Sequence, residues 1–224
     1  MNGDKLLPKR GSCLRRSDSK KLTISISCQS PDMIMVINGP LLITKKVKNW
    51  TLSINPHEYY MVINIGKATI KLKYSHDVSG HEIIYDPYKY DHSEKINFVP
   101  DDFVKQFSVP VGYIDILSKW YSIKFTYPNY NIIFIKPEMG ISIQVHTHRS
   151  EEWEILGGKP IIINNNSVYY FVEKGTKFLN EKMQYHSVIN PNKNPREFVV
   201  LKERWSGSFD EEDIKRIYNP NNYH

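Results

Sequence analysis

Short apolar runs, broken by turn residues every roughly 8–12 positions, dominate this chain, and that spacing favours strands over helices. Leu22–Ser27 alternates strictly, and Met33–Ile37 runs into the turn tripeptide Asn38-Gly39-Pro40. Leu41–Val47, Trp50–Ile54, Tyr59–Ile65 and Ala68–Tyr74 continue the pattern. Two more strand-like runs, Ile96–Val99 and Phe103–Val109, lead to Pro110-Val111-Gly112, the strongest internal boundary. Beyond it come Trp120–Phe125, Ile132–Ile135, Ile141–His148, Trp153–Leu156, Pro160–Ile163, Val168–Val172, His186–Ile189 and Phe198–Arg204. Asp210–Tyr218 alone reads as a helix, with acids first and bases later as the helix dipole prefers. An all-β sandwich or barrel with a short C-terminal helix is the expected architecture.

Charge refines this reading without redirecting it. The chain of 224 residues carries a formal net charge of +6. Most of the excess lies in residues 1–21, where Lys5, Lys9, Arg10, Arg15, Arg16, Lys20 and Lys21 face only Asp4 and Asp18. Residues 1–21 therefore read as a basic disordered tail, capable at most of weak nucleic-acid contact. Residues 22–112 and 113–224 are expected to form two β domains. Two cysteines outside any C-x-x-C pair give no disulfide framework. No apolar run approaches the ~18 residues of a membrane span, and the basic N-terminus has no hydrophobic signal region. A cytoplasmic protein is expected.

The run Gly140–Gly158 carries the chemistry. Gln144, His146 and His148 alternate along one strand, so the three side chains leave the same face. Glu151 follows three residues later, and His186 lies on a distant strand. Imidazoles and a carboxylate converging from neighbouring strands make a metal site of mixed N/O type. Trp153 reads as core.

The spacing G-x5-H-x-H-x2-E-x6-G, followed by His186-x3-Asn190, resembles the paired motifs of the cupin superfamily, an antiparallel jelly-roll barrel. "SIQVHTHRSEEWEIL", "HSVINP" and "EEDIKR" resemble one branch, the C-terminal cupin of type II mannose-6-phosphate isomerases. In bacteria that cupin is commonly fused to a mannose-1-phosphate guanylyltransferase. The likeness runs from about Trp120 to Tyr218. Glu181-Lys182-Met183 stands where the family has P-x-G, and one residue is missing between Gly207 and Asp213.

The resemblance implies a metal-dependent aldose–ketose isomerase, interconverting mannose 6-phosphate and fructose 6-phosphate through an enediol for nucleotide-sugar synthesis. It implies one divalent ion, zinc first and otherwise Co, Mn, Mg, Fe or Ni, on His146, His148, Glu151 and His186, with Gln144 able to replace one His. Arg149 and Arg216 would hold phosphate or oxyanion, Gln144 would contact substrate, and Lys136 would serve phosphate or proton transfer. The expected partners are a small sugar phosphate and a second copy in a homodimer, with no membrane. A non-catalytic sugar-phosphate-binding cupin, or a cupin epimerase or dioxygenase, is the competing class, because cupins host many functions.

The first half echoes the second faintly. Glu58…Gly66 parallels Glu151…Gly158, and "INFVPDDFVKQFSV" resembles the second motif with Lys105 in the His place. The expectation is a bicupin whose N-terminal barrel is degenerate.

Overall fold

The computed structural model describes residues 2–207 and 211–221. The first half supplies β1 (Gly3–Leu6), β2 (Leu14–Arg16), β3 (Leu22–Asn38), β4 (Leu41–Ile54), β5 (Tyr59–Asn64), β6 (Ile70–Tyr74), β7 (Glu82–Tyr85) and helix α1 (Pro100–Gln106). The second half begins with β8 (Asp115–Ser118), β9 (Ser122–Tyr127), β10 (Tyr130–Ile135), β11 (Ile143–His146), β12 (Arg149–Gly157) and β13 (Ile161–Asn164). It ends with β14 (Ser167–Tyr169), β15 (Lys177–Asn180), β16 (His186–Ile189), β17 (Val199–Gly207) and β18 (Ile214–Tyr218).

The fold is all-β, of cupin jelly-roll type. Among the described residues the strands form two antiparallel sheets. The smaller runs β15-β12-β17-β10-β9-β8; the larger runs from β18 through β11, β16, β13 and β14 into the first half. Trp153, Ile155, Ile162, Val188 and Leu201 fill the space between the sheets in the second half. Where the halves meet, Met35, Ile37, Met61 and Ile63 share one core with Ile143, Ile161, Ile163 and Ile189.

The long hairpin of the first half shows how alternation becomes a bend. Leu22–Ser27 and Met33–Ile37 belong to one strand, β3, with a register irregularity between Ser27 and Asp32. Its first part pairs with β6 and its second part with β5. Bulges of this kind bend a strand and raise its twist, so β3 turns a corner of the fold. Asp32 secures that corner, its carboxylate accepting N–H bonds from Met33, Lys67 and Ala68 at 2.6–2.8 Å. Asn38-Gly39-Pro40 closes the β3–β4 hairpin with Gly39 at φ 55°, a conformation that favours glycine.

Three expectations are corrected. The basic segment 1–21 is not a disordered tail. β1 pairs with β6, β2 lies between β5 and β7, and Leu6 and Leu14 are buried. While these leucines enter the core, Arg10 pairs with Asp91 and stacks over Tyr88, 3.3 Å from the ring centroid. The expected strand Phe103–Val109 is instead α1, with Pro100 in its first turn, Asp101 and Asp102 beside it, and Lys105 in its last turn. Phe103 anchors this helix against Phe98, Phe107, Phe134 and Phe198. Lys105 thus sits on a helix and is no counterpart of His186 on β16. Finally, the expected helix Asp210–Tyr218 is a single 3-10 turn at Glu211–Asp213 followed by β18, Asp210 lying outside the described residues. Edge pairing of β18 with β11 prevails over the helical charge pattern.

Candidate metal centre and cleft

Alternation along β11 turns Gln144 and His146 to one side, into the barrel. Register then brings in the partners: Gln144 lies opposite His186 on β16 and opposite Arg216 on β18. Glu151 arrives from β12, in the facing sheet. The donor atoms of His146, Glu151 and His186 all lie within 4.8 Å of one another, and all three residues are buried. His146 Nε2 is 2.9 Å and His186 Nε2 3.7 Å from the Glu151 carboxylate. The Gln144 amide reaches to 3.4 Å from His186 Nε2, while its oxygen accepts from Ser142 Oγ.

Backbone carbonyls fix the imidazoles. His186 Nδ1 meets the Gln184 carbonyl at 2.9 Å and His146 Nδ1 the Asp213 carbonyl at 3.3 Å. A carbonyl only accepts, so each Nδ1 carries a proton and each ring turns its Nε2 toward Glu151. Burial holds His186 down to about 4 against the pull of Glu151, so its ring is neutral near pH 7. Burial opposes ionisation of Glu151 too, yet His146, His186 and Arg149 together outweigh it and hold the carboxyl below its usual range. Two imidazole Nε2 atoms converging on a carboxylate suit a divalent cation of the N/O-binding kind.

His148 is excluded from this centre. β11 ends at His146, and the turn that follows is tied down by Asp213, whose carboxylate accepts the N–H groups of Thr147 and His148 at 2.9 and 3.0 Å. The alternation breaks there, leaving the His148 side chain exposed. His148→Ala is therefore expected to leave metal affinity within about threefold of wild type, whereas His146→Ala lowers it at least about 100-fold. Titration of chelator-stripped protein with Zn(II) in a calorimeter distinguishes the two.

The other expected site residues divide. Arg149 is buried and works on Glu151, donating Nε–H to its carboxylate at 2.9 Å, with Nη2 3.4 Å from His146 Nε2. Arg216, brought to the site by β18 rather than by a helix, lines the cleft beside the donor cluster together with Lys119, Lys124 and Arg149. This cleft encloses about 90 Å³, and Lys119, Tyr121 and Arg216 also line an adjoining hollow of about 460 Å³ that Lys9 joins. Lys136 is elsewhere, its Nζ 5.7 Å from the centre of the Tyr90 ring. Trp153 is fully buried core.

Glu203 joins these residues although no motif in the sequence marks it. It lies on β17 opposite Asn131 and Trp153, accepts from Asn131 Nδ2 at 2.8 Å, and shares the Trp153 indole N–H with Glu151, 3.2 Å to each carboxylate. Burial first, and the Glu151 charge second, push its pKa well up, so it holds a proton near neutrality. An acidic residue at an inward position of an alternating strand was the available signal.

The His186 pKa carries a pH dependence. Its folded value of about 4 lies below the ordinary imidazole value of 6.5, so the unfolded chain takes up the proton first as pH falls. The associated stability is complete above about pH 6.5 and disappears between there and about pH 4. In full it amounts to about 3 kcal/mol. Urea unfolding of metal-free protein at pH 7 and pH 5 should show the decline, and His186→Asn should flatten it.

Residues 115–219 match the family described as Mannose-6-phosphate isomerase C-terminal. A mannose-1-phosphate guanylyltransferase of Klebsiella pneumoniae is 36% identical over 90 residues, 40% of this chain and 18% of that protein. The alginate biosynthesis protein AlgA of Pseudomonas putida is 31% identical over 86 residues, 38% of this chain and 17% of that protein. The chain thus spans less than a fifth of these relatives' length. A cupin-superfamily sugar phosphate isomerase from Silicibacter pomeroyi superposes with a TM-score of 0.33 at 10% identity, covering 42% of this chain and 74% of that one. Among the described residues no helix is long and apolar enough to cross a membrane. With the donor cluster between the two sheets and the family match over it, the second half is similar to the C-terminal domain of mannose-6-phosphate isomerase.

Proposed function

We propose that this chain is a metal-dependent sugar-phosphate isomerase acting on mannose 6-phosphate and fructose 6-phosphate in the cytoplasm. The observation that carries this is the convergence of His146, Glu151 and His186 at a cleft lined with cations. These three residues would hold the ion, Gln144 completing the set once a half-turn of its amide brings the oxygen forward. The bound ion supplies Lewis-acid polarisation of the sugar carbonyl.

The remaining work falls to the chain's own side chains. Arg216 and Lys119, with Lys9 at the outer hollow, attract and seat the dianionic phosphate. That anchorage sets C1 and C2 against the donor cluster. Isomerisation takes a proton from C2 of the aldose, giving an enediol, and returns one to C1. Glu203, lining the same cleft, is the residue proposed to carry that proton: with its pKa raised to about 8, the ionised minority near neutrality takes the proton from C2 and the resulting acid returns it to C1. The first half, residues 22–112, acts in this reading as a degenerate partner barrel, its core continuous with that of the second half.

A binding role without turnover draws support from Arg149, whose guanidinium lies 3.4 Å from His146 Nε2 and fills space beside the donors. A coupled assay on hexose 6-phosphates, with Zn, Co, Mn or Mg restored to stripped protein, decides. Turnover that Glu203→Gln lowers by about 100-fold or more, with sugar-phosphate binding retained, supports the isomerase. Calorimetric binding with no turnover under any ion selects the binding role.

A further inference from the structure

Outside the cleft and the matched residues 115–219, a second set of ligand-type side chains converges in the first half. Asp18, beyond β2, meets His76 and His81 from the loop between β6 and β7, and the three donor atoms lie within 4.8 Å of one another. Nε2 of His81 stands 3.7 Å and Nε2 of His76 4.0 Å from Asp18 carboxylate oxygens. These separations exceed hydrogen-bond length. Both Nε2 atoms are buried without a hydrogen-bond partner, and the His81 side chain is only 1% exposed. Each unsatisfied buried polar atom is costly, and here two are aimed at one carboxylate.

The surroundings are arranged as they are around metal-binding imidazoles. His81 Nδ1 is 2.7 Å from the Tyr60 hydroxyl and His76 Nδ1 is 3.1 Å from Ser75 Oγ. With each Nδ1–H given to its hydroxyl, each Nε2 lone pair points inward. Asp18 is held as firmly: its Oδ1 accepts the Lys20 N–H at 2.8 Å, its carbonyl accepts the His57 N–H at 2.9 Å, and Ser17 is bonded to Glu58 and Asn55. Bonds of about 2.0–2.1 Å in tetrahedral geometry set donors roughly 3.3 Å apart. The observed 3.7 and 4.0 Å need only side-chain contraction to reach it. Two imidazoles and one carboxylate favour zinc-class ions over calcium or magnesium, which prefer all-oxygen shells.

We propose that Asp18, His76 and His81 bind a divalent transition ion of the zinc class, with a fourth position open to water. The open side faces a hollow that His57 and Glu82 help to line. The ion clips the N-terminal segment onto the β6–β7 loop, closing a stretch of chain from Asp18 to His76. Such closure stabilises by restricting the unfolded chain.

The test uses full-length protein stripped with chelator and titrated with Co(II), reading bound equivalents by elemental analysis and tetrahedral geometry by visible absorption. The His146→Ala background removes the cupin centre's contribution, so failure of that centre and failure of this one are read separately. In that background one Co(II) equivalent should remain, and Asp18→Asn or His76→Asn should abolish it while far-UV circular dichroism stays unchanged. Zn(II) should raise the melting temperature of His146→Ala and not of His146→Ala/Asp18→Asn. If His146→Ala alone binds no Co(II), or if Asp18→Asn and His76→Asn retain the equivalent and its spectrum, the proposal is overturned.

Discussion

Glu151→Ala is expected to abolish metal binding at the cupin centre and to lower the stability of the metal-free protein by about 3–5 kcal/mol. The carboxylate is buried and stands at the middle of the cluster, 2.9 Å from both His146 Nε2 and Arg149 Nε and 3.2 Å from the Trp153 indole N–H. Its removal takes the only anionic donor from the cupin donor cluster among the described residues. It also removes the near counter-charge of a buried guanidinium, and the Asp213 carboxylate, 4.0 Å from Arg149 Nη1, is a weaker substitute. Breaking one side of a buried ion pair is far more destabilising than replacing the whole pair. Urea unfolding of stripped protein measures the stability term, and calorimetric titration with Zn(II) measures the binding term. A stability loss below about 1 kcal/mol would show that Asp213 suffices for Arg149. Glu151→Gln, which keeps shape and loses charge, should fall between wild type and Glu151→Ala in stability and match Glu151→Ala in metal binding.

Trp153→Ala is expected to cost about 3–5 kcal/mol, the range for truncating a fully buried aromatic. Trp153 is 0% exposed, lies among Ile155, Ile162, Val188 and Leu201, and meets the His186 ring edge-on at 5.2 Å between centroids. Its indole N–H also lies between the Glu151 and Glu203 carboxylates. Trp153→Phe separates packing from this polar role. It keeps most of the ring volume and removes the donor, so the stability loss should shrink to about 1–3 kcal/mol, the cost of an unmade buried hydrogen bond. Equal losses for both variants in thermal and urea unfolding would assign the whole effect to the N–H.

Several elements were legible because their signals are local. Alternation gives strands wherever one face is buried, as in β6, where Ile70, Leu72 and Tyr74 are buried and Lys71 and Lys73 are exposed. Asn164-Asn165-Asn166 closes the β13–β14 hairpin as a turn tripeptide should, with Asn165 at φ 55°. Asn190 of the second motif is legible as a residue type, and its role is structural: it is buried and donates to the carbonyls of Ile135 and Glu197. Other local signals misled. Pro100-Asp101-Asp102 is a helix start, yet the apolar residues after it read equally well as a strand, and the packing of Phe103 favours the helix. Met183, in the glycine place of the family's P-x-G, adopts φ 62° and donates its N–H to the His146 carbonyl. The turn geometry is thus kept there without the residue that marks it.

At the run Gly140–Gly158 the sequence alone determined that metal-type donors and a carboxylate occur at strand spacing in an all-β chain. The tertiary structure alone decided which of them meet. Alternation assigns a side chain to a face only as long as the strand lasts, and Asp213 ends β11 before His148. Convergence of residues from different strands depends on register and on the packing of two sheets, terms written across tens of residues. That is why Glu203 joins the cleft unannounced, why Arg216 reaches it on a strand and not on the expected helix, why Lys136 stays out of it, and why a segment read as a charged tail delivers Asp18 to two histidines.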